Sequence, residues 1–337
     1  LPASYEFNGR SPDREQAFYA QDTIRLKDFT LSLGLRFDHY ALLVDESGWS
    51  PRVALAWHSR PLGLVLHASY DRTFGTPSFE NLLVSAAPGA AKLNGGFYLP
   101  IHPSRGNYYE AGFTQSLGKR VRMDASYFRR DIRDFKDDDL LLNTAVSFPI
   151  AFRNATVRGV EVKLEVPHWG PFAGYLSYTN TIGIGQFPIS GGLFLDDGAA
   201  ALLSSNERFP ISQDMRNTAR AWLRYQISRR VWTAWSGSYN SGLPVEGDLP
   251  PLSLLQAQYG ADVVSKVNFS RGRVIPSFSI NASIGADLWR HDRRSVSVQA
   301  DVLNLTDRLN AINFAGLLSG TATGAPRSFG IRLRTEF

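Results

Sequence analysis

Six histidines, His39, His58, His67, His102, His168 and His291, are the first residues whose chemistry could matter. No two stand at the spacing that turns a pair of imidazoles toward one metal ion. The chain has no cysteine, so no thiolate completes a site. His39, His58, His168 and His291 fall at strand ends or turns, and His67 on the polar side of a strand. Isolated imidazoles of this kind read as structural or solvated. Asp137, Asp138 and Asp139 form an acidic run able to attract calcium or a cationic ligand. The run lacks the spaced oxygen ligands and the glycine of a calcium loop, so it reads as a solvated external loop. No G-x-S-x-G, Walker or dinucleotide fingerprint is present, and Gly183-Ile184-Gly185 lacks the third glycine and the strand–helix setting. Carboxylates are plentiful, but a sequence cannot bring two of them together as a glycosidase pair. No catalytic, metal or cofactor-binding residue is assigned, and the expectation is a protein without enzymatic activity or cofactor.

A different pattern is set by Arg36, Arg52, Arg122, Arg220 and Arg332. Each sits on the polar side of a strand that alternates, which predicts a hydrated wall with cross-strand ion pairs facing a lumen. The strands that would position them are plain. Phe29, Leu31, Leu33, Leu35 and Phe37 share one side of an extended segment, and Thr30, Ser32, Gly34, Arg36 and Asp38 the other. Val160, Val162, Leu164 and Val166 oppose Gly159, Glu161, Lys163 and Glu165 in the same way. The last segment alternates throughout: Phe329, Ile331, Leu333, Thr335 and Phe337 against Ser328, Gly330, Arg332, Arg334 and Glu336. Trp222 interrupts one polar side, whereas Trp49, Trp57, Trp235, Tyr239 and Phe337 suit an aromatic girdle.

Composition narrows the class. With 43% hydrophobic and 20% charged residues among 337, disorder is excluded. No window approaches the roughly 18 consecutive apolar residues of a membrane helix. Aromatics make up 12% (7 Trp, 13 Tyr, 21 Phe), which fits belts at two membrane surfaces. The formal charge of +5 comes from basic residues interleaved with acidic ones, so no nucleic-acid-binding face is expected. No basic stretch followed by an apolar one marks a signal peptide. About thirteen candidate strands can be counted, or fourteen if residues 4–7 contribute one, and several exceed the usual soluble length. Short connections after Lys27, His58, Leu117, Val166, Ile227 and Trp289 alternate with long ones, including 74–106, 183–213, 241–273 and 304–326. Outer-membrane barrels alternate short periplasmic turns with long outer loops in this manner. The expectation is an all-β, antiparallel transmembrane barrel wall. Leu33, Leu55, Leu164, Ile280 and Val298 should face lipid, and Ser32, Ala54, Lys163, Asn281 and Gln299 the lumen. A small passive porin and a soluble all-β binding protein or enzyme are the alternatives.

Several segments together resemble the TonB-dependent outer-membrane receptors, in particular their large, Oar-like members. Phe18-Tyr19-Ala20-Gln21-Asp22 leading to Leu31-Ser32-Leu33-Gly34-Leu35-Arg36-Phe37-Asp38 is similar to a strand pair of that family. Ser50-Pro51-Arg52, Ser69-Tyr70-Asp71-Arg72-Thr73-Phe74, Tyr109-Glu110-Ala111-Gly112 and Val302-Leu303-Asn304-Leu305-Thr306-Asp307 follow in the family's order. Gly330, Leu333, Thr335 and Phe337 resemble the carboxy-terminal signal read by the barrel-assembly machinery, with Thr335 the weak match. The resemblance implies an outer-membrane receptor that takes up a scarce small solute with energy delivered through TonB. It also implies a 22-strand barrel enclosing a plug. Residues 1–15 are then an external loop or strand remnant, and residues 16–337 a carboxy-terminal barrel portion without the plug. Such a portion is expected either to close against residues 16–27 or to leave an open edge.

Overall fold

The computed structural model of the protein describes residues 8–79, 82–85, 87, 100–140, 147–191, 205–245, 249–291, 294–314 and 321–336. Its main feature is one antiparallel sheet of fourteen strands. The strands run β1 (Arg14–Leu26), β2 (Phe29–Ala41), β3 (Asp45–Ser59), β4 (Leu64–Gly75), β5 (Ser104–Leu117), β6 (Val121–Leu140), β7 (Ser147–Trp169), β8 (Phe172–Gly191) and β9 (Arg208–Pro210). They continue with β10 (Thr218–Gln226), β11 (Val231–Asn240), β12 (Val267–Asn268), β13 (Arg273–Val274), β14 (Ser277–His291), β15 (Arg294–Leu303), β16 (Ala311–Asn313), β17 (Ala322–Thr323) and β18 (Ser328–Glu336). The sheet order is β1-β2-β3-β4-β5-β6-β7-β8-β10-β11-β14-β15-β18, with β9 paired to β8. The pairs β12–β13 and β16–β17 are separate ribbons. Each main strand pairs with its predecessor, so the chain meanders and successive connections fall at opposite ends. β1 and β18 are the two ends of the order, and no pairing joins them among the described residues.

Register carries the alternation across the whole sheet. Leu31 lies opposite Leu55, Leu33 opposite Val53, and Val53 opposite Tyr70. The same side continues through Leu164–Leu176, Leu176–Ala221, Gly237–Ile280 and Val298–Leu333. Leu33, Leu55, Leu164, Ile280 and Val298 therefore share one apolar face, and Ser32, Ala54, Lys163, Asn281 and Gln299 the other. The apolar face lies open: Leu55 is 46% exposed and Ile331 84%. A water-soluble sheet would bury such a face, because each fully buried Leu or Ile contributes about 1.5–3 kcal/mol. Gly118 (φ 68) and Gly170 (φ 60) close two of the tight turns in the left-handed region where a side chain is strained.

Three strands are about twice as long as a membrane needs. β6, β7 and β8 have 20, 23 and 20 residues, against the roughly 9–11 of a tilted membrane strand. In their distal halves the faces exchange character. Below Gly159 the apolar side holds Val160, Val162 and Leu164. Beyond it the same side holds Arg158, Thr156 and Asn154. The opposite side there becomes a buried core of Phe128, Ala155, Val157, Phe187, Ile189 and Ile211. Two sequence expectations are corrected. Asp137, Asp138 and Asp139 are not in a loop; they pair with Ile150, Pro149 and Phe148 inside the β6–β7 ladder. The segment 183–191 is not loop either but the end of β8, paired with β7. Residues 42–44 form a tight turn at the end that also carries the long connections 76–103, 241–276 and 304–327. The connection 241–276 holds a helix, Leu252–Tyr259, that helps bury Val264, Val267, Val274, Ala311 and Phe314. Residues 4–7 lie outside the described residues.

Candidate functional site

The polar face is a continuous array of paired charges. Alternate residues of a strand point the same way, so an acid two positions from a base meets it directly. Arg36 donates from Nε to both oxygens of Asp38 at 2.8 and 3.0 Å. Arg122 reaches Asp124 at 3.0 Å and, across the ladder, Glu165 at 3.1 Å. Lys163 lies 3.3 Å from Glu165. The Thr114 hydroxyl donates to Asp124 at 2.7 Å. Further along, Ser283 and Gln299 both donate to Asp301, at 2.6 and 2.7 Å. Trp222 stacks on Tyr175, and Arg224 lies 4.9 Å over the Trp232 ring. Aromatic side chains on this face are thus part of the wall. The partial exposure of these groups keeps the pairs individually weak, on the order of 0–1 kcal/mol. Their number makes the face hydrophilic, with both charges represented.

The five arginines singled out by sequence all lie on this face, but they do not form one site. Arg36 and Arg52, on neighbouring strands, border a cleft of about 190 Å³ with Tyr19, Gln21 and Ser50. Arg52 lies 3.9 Å from Asp71. Arg122, Arg220 and Arg332 sit on β6, β10 and β18, apart from one another. Gly330, Leu333 and Thr335 are in β18, where Leu333 faces Val298 and Thr335 faces Val296. Phe337 lies outside the described residues. Trp49, Trp57, Trp235 and Tyr239 fall on the apolar face, where Trp49 packs on Phe37 with ring centroids 4.9 Å apart.

Sequence reasoning missed one buried ion cluster. Asp214 is fully buried between β8 and the 241–276 connection. It accepts the Gly183 N–H at 2.8 Å, pairs with Arg216 at 2.9 Å, and bonds Arg273. The Asp214 carbonyl also accepts from Arg273 at 2.8 Å. Asp214-x-Arg216 was the available signal, because it repeats the i, i+2 pairing of Arg36 and Asp38. Arg273 lies 59 residues away and gave none. His102 meets Glu46 at 2.5 Å, and Glu46 also binds Arg105 at 2.7 Å. No cluster of three or more metal-binding side chains occurs among the described residues.

An antiparallel sheet with one lipid-compatible face, one charged face and short turns alternating with long connections is the wall of a transmembrane β-barrel. A family model described as TonB dependent receptor-like, beta-barrel, matches residues 2–305. The chain belongs to that family, whose members are outer-membrane proteins of Gram-negative bacteria. Solved structures agree in fold. The ferric citrate transporter FecA in its unliganded form superposes with a TM-score of 0.64 at 15% identity, covering 97% of this chain and 45% of that one. The copper transporter OprC gives 0.66 at 14%, covering 96% and 48%. The FrpB iron transporter from Neisseria meningitidis gives 0.63 at 14%, covering 97% and 46%. The chain thus spans about half the length of the structures it matches. No curated protein matches it.

Proposed function

We propose that this chain supplies barrel wall to a TonB-dependent uptake receptor for a scarce small solute, with no catalytic role. The carrying observation is the two-faced sheet within a chain of this family. The apolar face meets lipid, and the charged face lines the path of the solute. Arg36, Arg52, Arg122, Arg220 and Arg332 contribute to that lining as lumen-facing residues. A wall of paired opposite charges wets the interior without binding any one ion tightly, and it offers hydrogen bonds to an enclosed plug that must move during transport. Energy reaches that plug through TonB. Gly330, Leu333, Thr335 and Phe337 serve insertion by the barrel-assembly machinery. A ferric citrate, an iron and a copper transporter share this fold, so metal complexes are the solute class to test first.

The test is genetic. In the host bacterium, deletion of this gene and deletion of TonB should abolish uptake of the same member of a panel of ferric and copper complexes. A solute lost with this gene but still accumulated without TonB would overturn the reading. The passive-porin alternative predicts that second outcome.

A further inference from the structure

We propose that the outward side of β4–β8, just beyond the membrane, binds the phosphate groups of anionic outer-leaflet lipids. The residues are Arg72, Arg129, Arg133, Arg158 and Arg208. The proposal rests on the membrane placement of the sheet and not on the transport reading.

The position follows from register. Tyr127 and Val160 face each other at the upper border of the apolar face. In the adjoining cross-strand row, Tyr70, Tyr109, Arg129 and Arg158 succeed one another. Tyr70 and Tyr109 pack with ring centroids 5.2 Å apart. Such amphipathic rings mark the level of the lipid headgroups. The next row outward holds Arg72, Asn107, Asp131 and Thr156. The row after that holds Arg105, Arg133, Asn154, Gln186 and Arg208. Cationic side chains therefore begin where the tyrosines end, on the side that faces the leaflet.

The charge balance differs from that of the polar face. Asp131 is the one carboxylate in these rows, and it is held by Arg129 at 2.8 Å and by the Thr156 hydroxyl at 3.0 Å. Arg105 is engaged by Glu46. Arg72, Arg158 and Arg208 are exposed, and no hydrogen bond or ion pair holds them among the described residues. Two clefts run between these side chains. One, of about 460 Å³, is bordered by Arg72, Asp131, Arg133, Asn154 and Arg208. The other, of about 330 Å³, is bordered by Arg129, Thr156, Arg158, Gln186 and Arg208. Guanidinium groups bind phosphate oxygens in pairs of parallel hydrogen bonds. Asn154 and Gln186 add neutral donors suited to the hydroxyls of a phosphorylated sugar headgroup. A soluble anion would meet these groups from water. A lipid is held by its apolar chains against Val160, Tyr127 and Tyr109 while its phosphate reaches the arginines.

The experiment uses the whole protein in nanodiscs of phosphatidylcholine with or without lipid A, a glycolipid carrying phosphates. Lipid A retained per protein after exchange into detergent is measured at low and high salt. The wild type should retain lipid A, less so at high salt. A triple variant, Arg72→Gln, Arg158→Gln and Arg208→Gln, should bind more weakly by roughly fivefold per arginine, on the order of a hundredfold in all. Arg220→Gln, on the opposite face, should retain as much as the wild type. If the triple variant does not fold, as judged by heat-modifiable gel mobility, Arg158→Gln alone should still show the fivefold loss. Equal retention by wild type and a folded variant overturns the proposal. Complete displacement by inorganic phosphate at equal phosphate concentration also overturns it, because the site would then be one for a free anion.

Discussion

Placing an arginine on the apolar face at two depths measures where the membrane begins. Leu164 and Val160 lie on the same side of β7, four residues apart, which is about 13 Å along a strand. With a strand tilt near 40°, that separation is roughly 10 Å in depth. Leu164 has Met123 and Leu176 as cross-strand neighbours, so a charge there meets only hydrocarbon. Val160 faces Tyr127 and Asn180 and lies two residues from Arg158, at the level of the headgroups. Leu164→Arg should cost about 2–4 kcal/mol and Val160→Arg about 0–1. A gap of about 2 kcal/mol is roughly a thirtyfold difference in the ratio of folded to unfolded protein. Lys163→Gln, on the opposite face, loses one half-exposed pair with Glu165 and should change stability by less than about 1 kcal/mol. Urea titration of the protein refolded into lipid vesicles gives all three values. Equal costs at positions 164 and 160, or a larger cost at 163 than at 164, would refute the assignment of faces and of depth.

Asp214→Ala should destabilise the protein by about 3–5 kcal/mol, because it strands Arg273 and the Gly183 N–H in a buried setting. Proteolysis should then reach the 241–276 connection first. Gly159→Val should prevent assembly: a Cβ at Gly159 would lie 2.0 Å from the Asn180 carbonyl oxygen, and a ladder backbone cannot move aside. Loss of heat-modifiable mobility reports this, and normal mobility would contradict the register of β7 and β8. Protease added to intact cells should cut within the long connections 76–103, 241–276 and 304–327 and spare the turns at 27–28, 118–120 and 228–230. Cleavage at those turns without permeabilisation would reverse the topology. Removing Phe337 should lower the amount of assembled barrel, read by the same mobility shift, without altering solute affinity in the fraction that assembles.

The sequence made legible whatever followed a single alternation. Thirteen main-path strands and the membership of both faces follow from period-two patterning, because lipid and water select opposite residue types on opposite sides. It became illegible where two solvents succeed each other along one strand. Asp137 looked like loop because its neighbours are acidic. In the structure it lies in the extension of β6 and accepts the Ser212 hydroxyl at 3.0 Å. The segment beginning at Gly183 and Gly185 looked like loop because glycine usually marks one. Here Ile211 and Phe209 pack directly over those glycines, and a Cβ at either would lie within 2.8 Å of them. Within the candidate site the arginines were visible, since their strands alternate. Their grouping was not, since it depends on which strands are neighbours and on partners such as Asp71 and Glu165.

The exchange of faces at Gly159 makes β7 a strand with two opposite substitution codes. Between Val160 and Val166 an apolar change is tolerated outward and a polar one inward. From Asn154 to Arg158 the tolerances trade places, since Ala155 and Val157 turn into a packed core while Arg158 and Thr156 stand on the outer, polar side. A designer moving loops or epitopes onto this protein would have a natural graft line there. Inserts above it obey the rules of soluble domains, with an apolar interior and a wet surface. Anything below it must be chosen as if turned inside out.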